Sequence, residues 1–333
     1  MTAISQSLNL TESHLRPFDP RRDLTGVADL VELCFADTLD ADGRRYIEEI
    51  RSAARFPTYL RWASLTNANT ATPLMGFVWM ESGRIVGNLS LIPFKLDRRR
   101  NYLIANVAVS PGYRRQGIAR NLTIKALEHC RQLGADNIWL HVRQGNKAAI
   151  RLYESLGFRE QARRTTWESA ESYGATKING LPPTGIGITR LRPSLSTPEW
   201  PKIRSWLEYL YPPEIRWHLP YDPRALRGDL WGSLYRIMMD IDVRLWVATY
   251  NQKWIGMLAW QPFQNQADIL WLACAPANED LVVYSLIPHL YRQIRSQRRV
   301  VLDYPADQGV QAFSETGMQA HQTLIWMSVD LSR

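Results

Sequence analysis

The chain has 333 residues, 45% of them hydrophobic and 22% charged, and a formal charge of +8. That balance is the one expected of a soluble globular protein with room for two domains of roughly 150 residues each. It excludes a membrane span, because no stretch approaches the ~20 apolar residues a bilayer needs, and the positive charge favours anionic ligands without requiring nucleic acid.

Residues 1–10 have no basic region followed by an apolar core, so no secretory signal is expected. Cys34, Cys130 and Cys274 lie far apart in apolar runs, without metal-ligand spacing, and read as buried reduced thiols. A cytoplasmic protein that engages neither membrane nor nucleic acid is the expectation. Arg98, Arg99 and Arg100 read as a solvated hairpin tip.

In chain order, a short strand over His14 to Phe18 leads to a helix from about Leu24 to Phe35 and a second helical stretch over Gly43 to Ala54. Strands Phe77 to Glu81 and Ile85 to Pro93 are joined at Ser82-Gly83, and a strand from Tyr102 to Val109 meets the turn Ser110-Pro111-Gly112. Ile118, Leu122, Ala126, Cys130 and Leu133 form one helical stripe stopped by Gly134. A strand follows over Ile138 to Val142. A helix then runs from Asn146 to Leu156 with Ala149, Leu152, Tyr153 and Leu156 on one side, ended by Gly157.

The segment Ser172 to Gly187, rich in Gly, Pro and small polar residues, reads as a linker over 173–187 between domains over 1–172 and 188–333. The second half repeats anchors of the first in the same order. Leu15-Arg16-Pro17 matches Leu191-Arg192-Pro193, and Ile85-Val86-Gly87 matches Trp254-Ile255-Gly256. Val107 to Pro111 matches Leu272 to Pro276, and Tyr153 with Gly157 matches Phe313 with Gly317. The separation of partners shrinks steadily along the chain, as two copies with shorter loops in the second would give.

The chemistry concentrates in Asn106 to Leu122. An apolar strand feeds a tight turn, and the helix after it opens near Gly117 and Ala119 among Arg114, Arg115 and Arg120. A helix start carries unpaired N–H groups and partial positive charge, so a phosphate can be held there by the main chain. The plain alternative is a basic helix start packed on a sheet.

The segment resembles the acetyl-CoA motif of the GCN5-related N-acetyltransferase (GNAT) superfamily, Arg/Gln-x-x-Gly-x-Gly/Ala after a Val-x-Val-x-Pro strand, matched by Arg114, Gly117 and Ala119. Asn146, Ala149, Tyr153, Gly157 and Phe158 match its second motif. The resemblance covers about Leu15 to Trp167. Taken with the repeated anchors of the second half, it implies two tandem GNAT-like domains of the α/β (α+β mixed-sheet) class, each a mixed, mostly antiparallel sheet flanked by helices.

It further implies that the strand bulges, that Val107 and Val109 offer backbone groups to the pantetheine arm, and that the pyrophosphate lies along Arg115, Gln116, Gly117, Ile118, Ala119 and Arg120. Arg114 and Asn146 are placed near the cosubstrate, Asn146 being equally a helix N-cap. No metal is implied. The amine must lose a proton, the tetrahedral oxyanion must be held, for instance by the N–H of Val109 or its neighbour, and the thiolate must be protonated on leaving.

Tyr153 is carried over as the general acid, against the alternative of a core tyrosine. Where many members have Leu-Glu-Val-Arg, this chain has Leu140-His141-Val142-Arg143. His141 is thus either the general base or a histidine bonded to backbone; a water relay, Glu81 and Glu154 are the other options.

In the second half Arg114, Arg115, Gly117, Ala119 and Tyr153 become Glu279, Asp280, Val282, Tyr284 and Phe313, changes that work against phosphate binding and remove the acid. That copy reads as non-catalytic. Trp206, Tyr209, Tyr211, Trp217 and Trp231 are candidates for an acceptor cleft or for core. The expected function is transfer of acetyl from acetyl-CoA to a primary amine on a small molecule or a peptide. The rival is a non-catalytic acyl-CoA sensor or assembly module.

Overall fold

The computed structural model describes residues 14–39, 41–55, 75–96, 99–169, 184–191, 198–227, 229–262, 267–294 and 298–332. They form two compact units, Met1–Glu160 with Trp326–Arg333, and Gln161–Ile325. Most of the expected linker, through residue 183, lies outside the described residues, as do Arg98, Arg192 and Pro193.

The first unit contains β1 (Leu15–Pro17), α1 (Pro20–Phe35), α2 (Ala41–Arg55), β2 (Met75–Glu81), β3 (Arg84–Leu96) and β4 (Arg99–Val109). These are followed by α3 (Ile118–Gln132), β5 (Asn137–Arg143) and α4 (Lys147–Glu154). Its sheet runs β1-β2-β3-β4-β5 and ends on the last residues of β12 (Met318–Asp330). Pairing is antiparallel from β1 to β4 and parallel between β4 and β5.

Helix α1 starts four positions before the apolar stripe, because Asp19 caps it through the N–H of Arg21 and Pro20 supplies a first helical residue with its φ already set. Leu24, Val27, Ala28 and Val31 of α1 bury against Ile47, Ile50 and Ala53 of α2 and Val78 of β2. Burial of such side chains stabilises by about 1.5–3 kcal/mol each. Arg16 forms a forked pair with buried Asp23 at 2.6 and 2.8 Å, which ties β1 to α1. Helices α3 and α4 stop where Gly134 and Gly157 take positive φ. The N–H of Ala135 reaches Cys130 O and that of Phe158 reaches Tyr153 O.

The second unit contains β6 (Arg159–Ser169), β7 (Ile186–Arg190), α5 (Trp200–Leu210), α6 (Pro213–Arg216), α7 (Leu230–Met238), β8 (Arg244–Tyr250) and β9 (Lys253–Gln261). It continues with β10 (Ala267–Cys274), α8 (Glu279–Gln293), β11 (Arg299–Pro305), α9 (Val310–Glu315) and the start of β12. Its strand order is β12-β6-β11-β10-β9-β8-β7.

The division differs at two points from one made at residues 172 and 188. Most of β6 groups with the second unit because its residues from Arg164 to Glu168 pair with β11. Trp326–Arg333 groups with the first, where the N–H of Leu331 donates to Asp136 O at 2.8 Å.

Each unit sets a helix closely on a glycine of its sheet. A Cβ on Gly87 would lie 2.7 Å from Ile118 Cγ2 and 3.0 Å from Trp79 Cβ, and one on Gly256 would lie 2.6 Å from both methyls of Val282. Gly87→Ala should therefore lower the stability of the first unit by about 1–3 kcal/mol. Denaturant unfolding checks this, and a wild-type midpoint would contradict the close packing of α3 on β3.

Candidate active site

The site is built on an interruption in β4. Asn88 of β3 faces Ala108 while Ser90 faces Ala105, so Asn106 and Val107 together lie opposite Leu89. This is a β-bulge. Asn106 adopts φ +51°, a conformation that asparagine tolerates better than most residues. It is held from two sides: its carbonyl accepts from Asn88 Nδ2 at 2.9 Å, and its Nδ2 donates to the Tyr46 hydroxyl at 2.5 Å.

Beyond the bulge the strand resumes with a useful polarity. The N–H of Ser110 donates to Val86 O at 2.8 Å, which makes Gly87 and Val109 a non-hydrogen-bonded pair. Val109 consequently turns its own peptide groups away from β3. On that other side the parallel pairing with β5 ends at Ile104–Leu140, although the strands continue to Val109 and Arg143. The two strands part, and the edge of β4 past Ile104 faces an opening. The Val109 carbonyl is met by Arg114 Nε at 3.1 Å and Cys34 Sγ at 3.3 Å.

After the turn at Pro111–Tyr113 the chain runs in the open to the first turn of α3. Arg115 and Gly117 have φ of +69° and +80°. The first N–H to find a backbone partner after Arg114 is that of Asn121, which donates to Gly117 O at 3.0 Å. Among the described residues, the N–H groups of Arg115, Gln116, Gly117, Ile118, Ala119 and Arg120 make no backbone hydrogen bond. Arg114, Arg115, Gln116, Gly117 and Arg120 are exposed, Ala119 is half-buried and Ile118 anchors the helix in the core. Successive N–H groups at a helix start form a concave donor surface suited to a diphosphate. Gly117 is demanded by the sign of φ, since a Cβ there would meet no atom within 4 Å. Arg114 folds back onto Val109, and Arg120 donates to Ser155 Oγ at 2.8 Å.

Tyr153 is the buried residue of α4, packed edge-on against Phe158 at 5.8 Å. Burial pushes its hydroxyl up to about 12, and that hydroxyl makes no hydrogen bond to any described residue. It therefore stays protonated at neutral pH. Asn146 caps α4 by accepting from the N–H of Ala149 at 3.1 Å. His141, half-buried, is the first β5 residue beyond the last pair with β4, and its ring lies 4.0 Å from that of Trp326, tilted by 43°. Glu81 is engaged on β2, accepting from Trp79 Nε1 at 3.0 Å and lying 3.2 Å from His14. Glu154 is exposed.

The corresponding elements of the second unit are closed. At positions 279–282 the chain is already the first turn of α8, where the first unit has the open run 114–117. β10 pairs with β9 from Ile269 to Cys274 without a bulge. Pairing between β10 and β11 runs from Ala267–Arg299 to Ile269–Val301. Past it the space is filled: the N–H of Leu272 donates to the hydroxyl of fully buried Tyr211 at 3.4 Å, and Tyr304, also fully buried, lies 3.6 Å from Cys274 Sγ. The Glu279 carboxylate accepts from the Tyr304 hydroxyl and from the N–H of Gly309 at the start of α9, and burial holds its pKa above the usual carboxylate range. Arg164 bridges Asp303 and Leu210 O beneath the Tyr211 ring.

Tyr46 and Trp326 were not singled out by sequence, and Cys34, expected to be a buried thiol, is instead half-buried against the Val109 carbonyl. The asparagine preceding Val-x-Val was the one available sign of a bulge, through the tolerance of asparagine for positive φ. Burial pushes the thiols of Cys130 and Cys274 up to about 12, as expected for inert core cysteines.

The profile of the Acetyltransferase (GNAT) family matches residues 37–158. The chain is 32% identical over 148 residues to the [Ribosomal protein bS18]-alanine N-acetyltransferase of Escherichia coli K12, a match covering 44% of this chain and 93% of that enzyme. It is 31% identical over 151 residues to the mycothiol acetyltransferase of Thermobispora bispora, covering 43% of this chain and 45% of that one. A GCN5-related N-acetyltransferase from Sphaerobacter thermophilus shares the fold, with a TM-score of 0.54 at 15% identity over 95% of each chain.

Forcing a Cβ onto the positive φ of Gly117 costs about 1–2 kcal/mol. Gly117→Ala should therefore weaken acetyl-CoA binding about five- to thirtyfold, measured calorimetrically, with little change in the circular dichroism spectrum. Unchanged affinity would show that the loop's conformation does not matter to binding.

Proposed function

Because the chain belongs to the GNAT family of acetyltransferases, which use acetyl-CoA to acetylate an amine, we propose that the first unit is the catalytic one and that Tyr153 and His141 carry its proton transfers. The observation that supports this best is the unpaired run of N–H groups from Arg115 to Arg120 beside the parted strands β4 and β5. Acetyl-CoA, when bound, supplies the acetyl group. The main chain of Arg115 to Arg120 receives the diphosphate, and Val107 and Val109 offer peptide groups to the arm that links it to the thioester.

His141, at the mouth of the strand opening, takes the proton from the amine, directly or through a water, and Trp326 packs against its ring. Tyr153 gives its proton to the departing sulfur. Burial that raises the phenol also disfavours the thiolate, so the proton moves between two groups that the same environment keeps neutral. Asn146 sets the start of α4 and so the direction in which Tyr153 points.

The second unit is, in this reading, a degenerate GNAT-like copy following a linker at 173–187. Tyr211, Tyr304 and Glu279 occupy the places where the first unit keeps its main chain open. The free cysteines accord with a cytoplasmic setting. A small-molecule primary amine is the leading acceptor class, supported by the likeness to a mycothiol acetyltransferase. A peptide α-amine is the second reading, supported by the match over nearly the whole of a protein-alanine N-acetyltransferase.

Tyr153→Phe should lower kcat roughly 10²–10⁴-fold while leaving acetyl-CoA affinity within about twofold of wild type. Wild-type kcat in this variant would dismiss the acid role. Since burial holds Tyr153 up to about 12, wild-type activity should not fall across the range in which an ordinary tyrosine of pKa about 10 ionises. A kcat profile that drops there would contradict it. His141→Gln should reduce kcat roughly 10²-fold or more near neutral pH with acetyl-CoA affinity little changed; wild-type kcat would assign the base elsewhere.

A further inference from the structure

Helix α7 of the second unit is built with its faces reversed. The side turned to its own unit is polar: Arg236 donates to the carbonyls of Ala225 and Arg227 at 2.9 and 2.7 Å, and Tyr235 donates to Asp222 at 2.6 Å. Asp229 caps the helix through the N–H of Gly232, and Gly232 itself is buried so tightly that a Cβ would lie 2.5 Å from Arg227 O. The side turned outward is apolar. Leu230, Trp231, Leu234, Ile237 and Met238 follow the three- and four-residue spacing of a single helical face, and Met239 extends it. Trp231, Ile237 and Met238 are 72%, 76% and 71% exposed.

Together these six side chains present on the order of 700 Å² of apolar surface, above what a monomer ordinarily leaves in water and close to the ~800 Å² that each partner contributes to a standard interface. Exposed Arg224, bonded to Asp222, precedes the helix, and exposed Asp240 and Asp242, the latter 4.0 Å from Arg244, follow it at the negative end of the helix dipole.

We propose that this face is a self-association surface, on which α7 of one chain packs antiparallel against α7 of a second copy about a two-fold axis. In that arrangement each apolar stripe covers the other, as an isologous contact requires, and Asp240 of one chain lies toward the positive N-terminal end of its mate's helix. A lipid surface fits less well. Membrane-seated amphipathic helices carry lysines and arginines on the polar face, whereas the arginine of this helix is turned inward onto carbonyls and the residues after it are acidic.

Sedimentation velocity of the full chain over a range of concentrations tests this. The wild type should sediment with twice the chain mass. Ile237→Glu and, separately, Trp231→Glu should sediment as monomers with unchanged circular dichroism, both positions being exposed and outside the core. Asp240→Lys should raise the dissociation constant roughly tenfold at low salt, and less at high salt. A wild-type monomer at every concentration, or a dimer that both glutamate variants preserve, would overturn the proposal. So would a wild-type monomer that floats with vesicles of anionic phospholipid.

Discussion

Peptide groups left out of a ladder near a protein surface must be met by something, and the first unit holds two runs of them in one stretch of chain. One is the edge of β4 past Ile104, where β5 no longer pairs; the other is the six N–H groups of Arg115 to Arg120. Both follow from local geometry. Positive φ at Asn106 displaces the register of β4, and positive φ at Arg115 and Gly117 delays the start of α3 by four residues relative to its counterpart α8. The surrounding sheet and the close packing of α3 on Gly87 hold these departures in place. A main-chain surface of this kind binds by direction and charge and needs few special side chains, so the arginines around it add attraction more than shape.

The second unit meets the same requirement internally. Its helix begins without an open run, its strand has no bulge, and the peptide N–H that corresponds to that of Val107 is satisfied by the Tyr211 hydroxyl. Polar groups are buried to do this. Arg164 and Asp303 face one another, and Tyr304, Cys274 and Glu279 form a linked group, each satisfied by its neighbour as buried polar groups must be. The two units thus place similar elements at similar positions and differ in whether the strand gap is left open or filled by side chains.

How far the sequence spoke depended on the kind of signal. Glycines that stop helices, the Ser110-Pro111-Gly112 turn and the stripe from Ile118 to Cys130 located the elements within a few residues, because φ and amphipathic spacing are local properties. The open loop and the buried Tyr153 were legible for the same reason. The packing of Trp326 against His141 was not, since contact between residues so distant in sequence leaves no local trace. Nor was the reversal of α7: periodicity reports that a helix has an apolar face, and says nothing about which way that face is turned. Of the aromatics weighed for a cleft, Trp206 and Tyr211 are core, while Tyr209 and Trp231 are exposed.

The claim on which the account rests is that main-chain N–H groups, and not side chains alone, bind the acyl donor. Hydrogen–deuterium exchange of the full chain with and without acetyl-CoA reads those groups individually. The account predicts that amides of Arg115 to Arg120, with Val107 and Val109, exchange more slowly in its presence, while those of Glu279 to Val282 do not change. Equal exchange at Arg115 to Arg120 with and without acetyl-CoA, or protection confined to the second unit, would contradict it.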